Sequence, residues 1–286
     1  MTASPSIRQA MLVGRDRLAS RGDQAVHECL ILLQSITQKS KAHLLAFDEE
    51  LLLAEQYQRF MHLLNRRAAG EPSAYLVEEK EFWSLPLKVT ADVLIPRADT
   101  ELLVETALTV LGNKQRPHIL DLGTGSGCIA LALASELADA VITASDRSDA
   151  CLKLARENAK NLKLSNISWQ QSDWFSALPV RPYDLIISNP PYIAADDPHL
   201  ESEVAAYEPS HALIAKEQGL ADLHHIIQEA GNYLVNAGYL ILEHGWQQAK
   251  PVQEALQKHG FSGIETGTDL QGHERLSMAQ YKPPIG

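Results

Sequence analysis

The stretch from His118 to Glu136 restricts the fold more than any other part of the chain. An apolar run, His118-Ile-Leu-Asp-Leu122, meets Gly123-Thr-Gly-Ser-Gly127 and then the helix-forming Cys128-Ile-Ala-Leu-Ala-Leu-Ala134. A strand that enters a helix through alternate glycines needs backbone conformations that only glycine adopts freely, and it opens a βαβ unit. Downstream the alternation continues. Helix Thr100–Leu111 precedes this unit. Strand Val141–Ser145, helix Ala150–Asn161, and strands Ile167–Gln171 and Asp184–Ser188 follow it. Helix Leu220–Leu234, strand Tyr239–Glu243 and helix Gln247–His259 come next, and the extended pieces Gly263–Thr268 and Arg275–Tyr281 look antiparallel. This pattern predicts an α/β fold: a Rossmann-like, mostly parallel sheet with an antiparallel last strand and helices on both faces.

The first 70 residues have another period. Val26, Leu30 and Leu33, then Leu53, Tyr57, Phe60, Met61 and Leu64, recur at three-and-four spacing and predict a small all-α domain. Asp48-Glu49-Glu50 is expected to open the second helix, with Arg66-Arg67 closing it and Gly70 stopping it. Between the two patterns, Tyr75-Leu76-Val77, Glu81-Phe82-Trp83, Leu87-Lys88-Val89 and Val93-Leu94-Ile95 read as short strands or a hairpin. The expected division is therefore 1–72 helical, 73–99 a β-hairpin linker, and 100–286 the α/β domain.

Composition closes several classes. With 45% hydrophobic and 21% charged residues the chain is ordinary for a globular protein. No apolar run approaches the roughly 20 residues of a membrane span, so no membrane association is expected. Arg8, Arg15, Asp16, Arg17, Arg21 and Asp23 interrupt the start of the chain where a secretory signal needs an unbroken apolar core. Cys29, Cys128 and Cys151 form no CxxC pair, which predicts a reduced, cytoplasmic chain without a metal knuckle. Residues 1–100 carry 12 Lys+Arg against 13 Asp+Glu, and the remainder 13 against 23. Affinity for nucleic acid rests on basic groups that displace counterions, so the acidic remainder of the chain argues against direct nucleic-acid binding.

The glycine loop admits two ligands. Gly125-Ser-Gly127-Cys-Ile-Ala130 satisfies GxGxxA, and Asp146 follows at about the twenty-residue interval that places an acid on a ribose. A nicotinamide dinucleotide is thus one reading. Asp121 before the first glycine makes the segment DxGxGxG, which resembles the opening of S-adenosylmethionine-dependent methyltransferases. That sulfonium cofactor carries an ammonium and no phosphate, so nearby acids help to hold it.

Asp184-Leu-Ile-Ile-Ser-Asn-Pro-Pro-Tyr-Ile193 favours the second ligand. Pro190 and Pro191 fix φ twice and remove two donors, which aims the Pro190 carbonyl. Asn189 adds a side-chain carbonyl beside it, and two converging acceptors suit a planar NH2 group. Tyr192 offers a flat face on which an amide or base can stack. An amide nitrogen is a poor nucleophile because its lone pair is delocalised. Holding both N–H bonds aims that nitrogen and stabilises the positive charge that develops on it, without a side-chain nucleophile or a metal.

Together these motifs resemble N-methyltransferases of planar nitrogens, and the rest of the chain is similar to the HemK/PrmC release factor glutamine methyltransferases. The similarity rests on the 69–101 segment with Val93-Leu-Ile-Pro-Arg-Ala-Asp-Thr-Glu101, on Ser172-Asp-Trp-Phe175, Tyr207-Glu-Pro209 and Leu242-Glu-His-Gly245, and on Asp269 with Glu274-Arg275. It implies methyl transfer from S-adenosyl-L-methionine to the N5 nitrogen of the glutamine in the Gly-Gly-Gln motif of class 1 peptide chain release factors. Gly123, Thr124, Gly125, Ser126 and Gly127 would enclose the methionine part of the cofactor. Asp146 would hold the ribose, and Asp173 and Trp174 would flank the adenine. Asn189 would border cofactor and substrate, and Asn189, Pro190, Pro191 and Tyr192 would hold the glutamine, with Asn189, Pro190 and Tyr192 acting in catalysis. The 1–72 domain would recognise the protein substrate. Two positions depart from the family: Ala98 stands where a proline is usual, which predicts a looser loop, and Val77-Glu78-Glu79 stands where a glycine often occurs. An adenine-N6 nucleic-acid methyltransferase is the alternative within this chemistry, and a NAD-binding oxidoreductase, in which Asn-Pro-Pro-Tyr has no role, lies outside it.

Other candidates read as structural. His224-His225 point in different directions on a helix, which does not suit a metal pair. His244 beside Glu243 suggests a base but reads better as a hydrogen-bonded core histidine. Cys128 behind the glycine loop reads as a small buried residue, and Phe82 and Trp83 as packing.

Overall fold

The computed structural model describes residues 4–283, which divide into two compact units with the boundary between Glu79 and Lys80. The first is helical: α1 Ile7–Arg17, α2 Gln24–Thr37, α3 Lys41–Ala46, α4 Ala54–Ala68 and α5 Ser73–Val77. Its core gathers Ile7, Ala10, Cys29, Leu33, Phe60 and Leu64. Ser6 starts α1 with a capping box, its hydroxyl accepting from Gln9 N while the Gln9 side chain accepts from Ser6 N. Inside this unit Arg67 and Glu28 form a buried ion pair at 3.0 Å.

Several expectations for this region change. Tyr75-Leu-Val77 is helical, in α5, and Leu76 joins the helical core, so the first unit extends to Glu79. Asp48-Glu49-Glu50 does not open α4, which begins at Ala54. Asp48 instead pairs with Arg8 at 2.9 Å, and Glu50 takes Lys39 and His43. These ion pairs are exposed and individually weak, and the dipole term is no larger, so Arg8, Lys39 and His43 compete with the α4 N-terminus for the same carboxylates. Val26 and Leu53 face outward, at 41% and 66% exposure.

The second unit opens with the hairpin β1 Glu79–Phe82 and β2 Leu85–Lys88. Trp83 and Ser84 both have positive φ, +53° and +58°, the signature of a two-residue hairpin turn. Glu101 accepts from Trp83 N and Glu136 from Trp83 Nε1, which offsets that strain. Val93-Leu94-Ile95 is not a strand; it is a loop held by Glu208, which accepts from Ile95 N at 3.1 Å.

Beyond it run α6 Glu101–Leu111, β3 His118–Leu122, α7 Cys128–Glu136, β4 Val141–Asp146, α8 Asp149–Leu162, β5 Ile167–Gln171 and β6 Tyr183–Ser188. Then come α9 Ser202–Tyr207, the short turn α10 Lys216–Gly219, α11 Ala221–Ala230, β7 Leu234–Glu243, α12 Ala249–Lys258, β8 Phe261–Thr268 and β9 Glu274–Tyr281. Leu234, expected at a helix end, begins β7 instead and pairs with Tyr183. The sheet order is β5-β4-β3-β6-β7-β9-β8, parallel except for β9, which pairs antiparallel with both β7 and β8.

Alternation along the strands builds two cores. Ile119, Leu185, Ile187 and Ile241 pack with Leu103, Val104 and Ile129 on one face. Leu120, Leu122, Ile186, Leu240 and Leu242 pack with Leu223, Ile226, Val252 and Leu256 on the other. Strands covered on both faces by helices leave only their carboxyl ends open, and the chain order reverses between β3 and β6. In open α/β sheets that crevice binds ligands.

Candidate active site

Two loops leave the carboxyl ends of β3 and β6, neighbouring parallel strands. The first is the glycine turn. Gly123, Gly125 and Gly127 have φ of +72°, +55° and +87°. A Cβ on Gly127 would lie 3.0 Å from Leu131 and 3.1 Å from Ala155, so that glycine brings α7 close to α8. A Cβ on Gly125 would meet no protein atom within 4 Å, so that side of the turn is open to a ligand. Thr124 donates to Asp121 Oδ2 at 2.6 Å, tying the turn to the strand that delivers it.

Asp146, at the end of β4, accepts from Gly125 N through Oδ2 and from Ser148 N through Oδ1. It buttresses the turn while lining the cleft. Trp174 lies against Gly123, and its indole N–H donates to Asp222 on α11 at 3.1 Å. The exposed Asp173 lies beside it on the same wall. These residues, with Ser126, Asn189 and Pro191, bound a cleft of about 920 Å³ including its open mouth.

The second loop is Asn189-Pro-Pro-Tyr192. Pro190 and Tyr192 line a wider chamber of about 2140 Å³, together with Glu243, Trp246 and Arg275. Asn189 borders both spaces. Gln248 Nε2 donates to Tyr192 O at 2.9 Å, and Ile193 N donates to Leu213 O, so the loop is held from both sides.

Two carboxyls sit beneath the site. Burial pushes Asp121 up to about 7 against the opposing Thr124 hydrogen bond, and its Oδ1 has no protein partner. Burial likewise pushes Glu243 up to about 7, although it accepts from Thr100 Oγ1 at 2.7 Å and Tyr192 OH at 3.1 Å. The same burial, reinforced by Glu243, raises the Tyr192 phenol, which stays protonated.

The acid-rich cleft selects among ligands. Asp92, Asp146, Asp173 and Asp222 line it against two cations, Arg97 and Arg147, and Arg97 is paired with Glu208. A pyrophosphate finds little to neutralise it there, whereas an ammonium and a sulfonium are favoured.

Sequence comparison decides the family. Residues 9–77 match the PrmC N-terminal domain and residues 98–207 the Methyltransferase small domain. The release factor glutamine methyltransferase of Salmonella typhimurium is 48% identical over 261 residues, 91% of this chain and 94% of that protein. That of Shewanella oneidensis is 42% identical over 286 residues, the full length of both. This chain belongs to the release factor glutamine methyltransferase family. Among solved structures, a methyltransferase from Pyrococcus furiosus has a TM-score of 0.54 at 15% identity, covering 81% of this chain and all of that one. The hMettl16 catalytic domain has a TM-score of 0.56 at 16% identity, over 84% of this chain and 87% of that one. Both share the fold.

The cofactor of this glutamine methyltransferase family member is S-adenosyl-L-methionine. The open side of the turn at Gly125 and the acidic walls both fit it. The sequence reading missed Thr100 and Arg97, which reach the cleft from one short turn, and Arg147 and Asp222, which reach it from two other elements. It also passed over Glu243 in favour of His244. An acid at the carboxyl end of a buried parallel strand was the available signal. His244 is a core residue: Nε2 meets Ser277 Oγ and Nδ1 meets Gly245 O, both at 2.9 Å, and burial lowers its pKa. Cys128 carries no activated thiol, since burial pushes it up to about 12. His224 faces Glu217 at 3.3 Å. Ala98 starts a regular 3₁₀ turn, and the adjoining Arg97 is anchored to Glu208, so the loop stays fixed without the proline.

Proposed function

We infer that this chain transfers a methyl group from S-adenosylmethionine to the N5 amide nitrogen of the glutamine in the Gly-Gly-Gln motif of class 1 peptide chain release factors. The observation that carries the reading is the placement of Asn189 at the boundary of an acid-lined cleft and a second, wider chamber. A group transfer between two large molecules needs such a junction. The cofactor, when bound in the cleft, supplies an electrophilic methyl group. The Asn189 and Pro190 carbonyls accept the two amide hydrogens of the glutamine. Tyr192, fixed by Glu243, supports its plane. On the cofactor side Asp146 takes the ribose, Asp173 and Trp174 flank the adenine, and the 123–127 turn encloses the methionine portion.

The helical unit is assigned to recognition of the folded substrate. A glutamine in a short loop offers few contacts, and a stable protein complex typically buries about 800 Å² per partner. Leu45, Phe47, Leu51 and Leu53, close together in the chain, are 55–66% exposed, an apolar density that suits a protein partner. The test is methyl transfer by the full chain to purified release factor, DNA and RNA in parallel. Transfer to nucleic acid alone would overturn the reading. A variant beginning at Lys80, where the second unit starts, should keep its affinity for S-adenosylhomocysteine. It should methylate intact factor at least tenfold less efficiently, with a much smaller loss on a Gly-Gly-Gln peptide. Equal losses on both substrates would reduce the helical unit to a stabilising role.

A further inference from the structure

Asn189 must present its carbonyl, not its NH2, to a substrate amide, yet the two ends of its side chain are nearly equal in size. Something has to set the rotamer. Asn189 Nδ2 donates to Thr100 Oγ1 at 3.1 Å, Thr100 Oγ1 donates to Glu243 Oε2 at 2.7 Å, and Tyr192 OH donates to Glu243 Oε1 at 3.1 Å. Thr100 is 2% and Glu243 2% exposed, so water does not substitute for any of these partners. A hydroxyl has one hydrogen. When Glu243 is ionised it takes that hydrogen, and Thr100 then accepts from Asn189. The Asn189 amide is thereby forced to turn its NH2 inward and its oxygen toward the chamber.

We propose that Thr100 and Glu243 are positioning residues that fix the hydrogen-bonding polarity of Asn189, while Glu243 also fixes the ring of Tyr192. This rests on Asn189 being the residue that receives the substrate amide. The three contributors come from the start of α6, the end of β6 and the end of β7, brought together only by the sheet order. With the Thr100 hydroxyl removed, or with one acceptor fewer at position 243, the amide can turn over and offer its own hydrogens to those of the substrate. Such an enzyme binds its cofactor and holds its fold but spends much of its time unable to receive the glutamine.

The test measures single-turnover methylation of release factor by the full-length protein, with S-adenosylhomocysteine affinity by calorimetry. Thr100→Val should slow transfer at least tenfold and change that affinity less than threefold, while Thr100→Ser, which keeps the hydroxyl, should stay within threefold of the parent. Glu243→Gln, one acceptor for two donors, should slow transfer at least fivefold. In an Asn189→Ala background, Thr100→Val should add less than a twofold further loss, because its effect passes through Asn189. Parent-like turnover of Thr100→Val, or a loss that repeats in full without Asn189, overturns the proposal. So does a fall in cofactor affinity that matches the fall in rate. If Asn189→Ala itself turns over within threefold of the parent, the reading of the site falls. A crippled Asn189→Ala beside normal Thr100→Val and Glu243→Gln overturns the relay alone.

Discussion

The glycine turn after β3 and the Asn-Pro-Pro-Tyr loop after β6 leave adjacent strands, and each rests on a buried carboxyl lifted to about 7. They are stabilised differently. Asp121 takes its hydrogen bond from Thr124, three residues away, and keeps one oxygen without a protein partner. Glu243 takes its bonds from Thr100 and Tyr192, 143 and 51 residues away, and both of its oxygens are used. The first loop is a local device whose shape follows from glycine conformations. The second is a rigid backbone piece whose side-chain polarity is set from afar. On the proposed function one would hold the cofactor and the other would aim the reacting amide, so damage to them should separate affinity from rate.

The largest separation is expected at Asn189. Asn189→Ala should lose about a hundredfold in kcat, the roughly 3 kcal/mol attached to one preorganised acceptor, with S-adenosylhomocysteine affinity nearly unchanged. Turnover within threefold of the parent would remove the second loop's aiming role. Asp146→Ala should do the reverse, weakening S-adenosylhomocysteine by about 1.5–3 kcal/mol while saturated turnover changes little. Because Asp146 also accepts from Gly125 N and Ser148 N, part of that loss should come from a relaxed turn. Unchanged affinity in calorimetry would make Asp146 a bystander, and tight NAD binding would reopen the dinucleotide reading.

A smaller effect concerns the two carboxyls themselves. Each has a folded pKa near 7, above the ordinary values of 3.8 and 4.5. Below those ordinary values both are neutral whether the chain is folded or not, and their contribution to stability is fully present. As pH rises toward 7 the unfolded chain ionises first, so stability drains away until the folded groups ionise too. Asp121→Asn and Glu243→Gln should therefore each gain on the parent between pH 5 and pH 8, by on the order of 2 kcal/mol. Denaturant melts at the two pH values measure this, and a Glu243→Gln variant that loses ground at pH 8 would contradict it. The same carboxylate that aims Asn189 is thus expected to cost stability at working pH, a trade common at functional sites.

Local signals were legible in the chain. The strand bounds His118–Leu122 and Ile167–Gln171 and the helix Cys128–Glu136 follow from periodicity and glycine placement, and the structure keeps them unchanged. Residues 75–77 misled for a physical reason. Three apolar residues suit a strand or one helical turn equally, and docking of Leu76 into the helical core selects the helix. Val93-Leu94-Ile95 misled likewise, because Glu208 from a distant loop takes its backbone.

The sequence by itself determined the class of fold, the position of the glycine turn and the rigid Asn-Pro-Pro-Tyr loop after β6, because each depends on backbone restrictions within a few consecutive residues. Only the tertiary structure decided which acid lies behind that loop. His244 and Glu243 are adjacent in the chain, but alternation along β7 sends one to Ser277 and the other to Thr100 and Tyr192. Hydrogen-bond partners between 51 and 143 residues apart are chosen by sheet order, and no local spacing encodes that order.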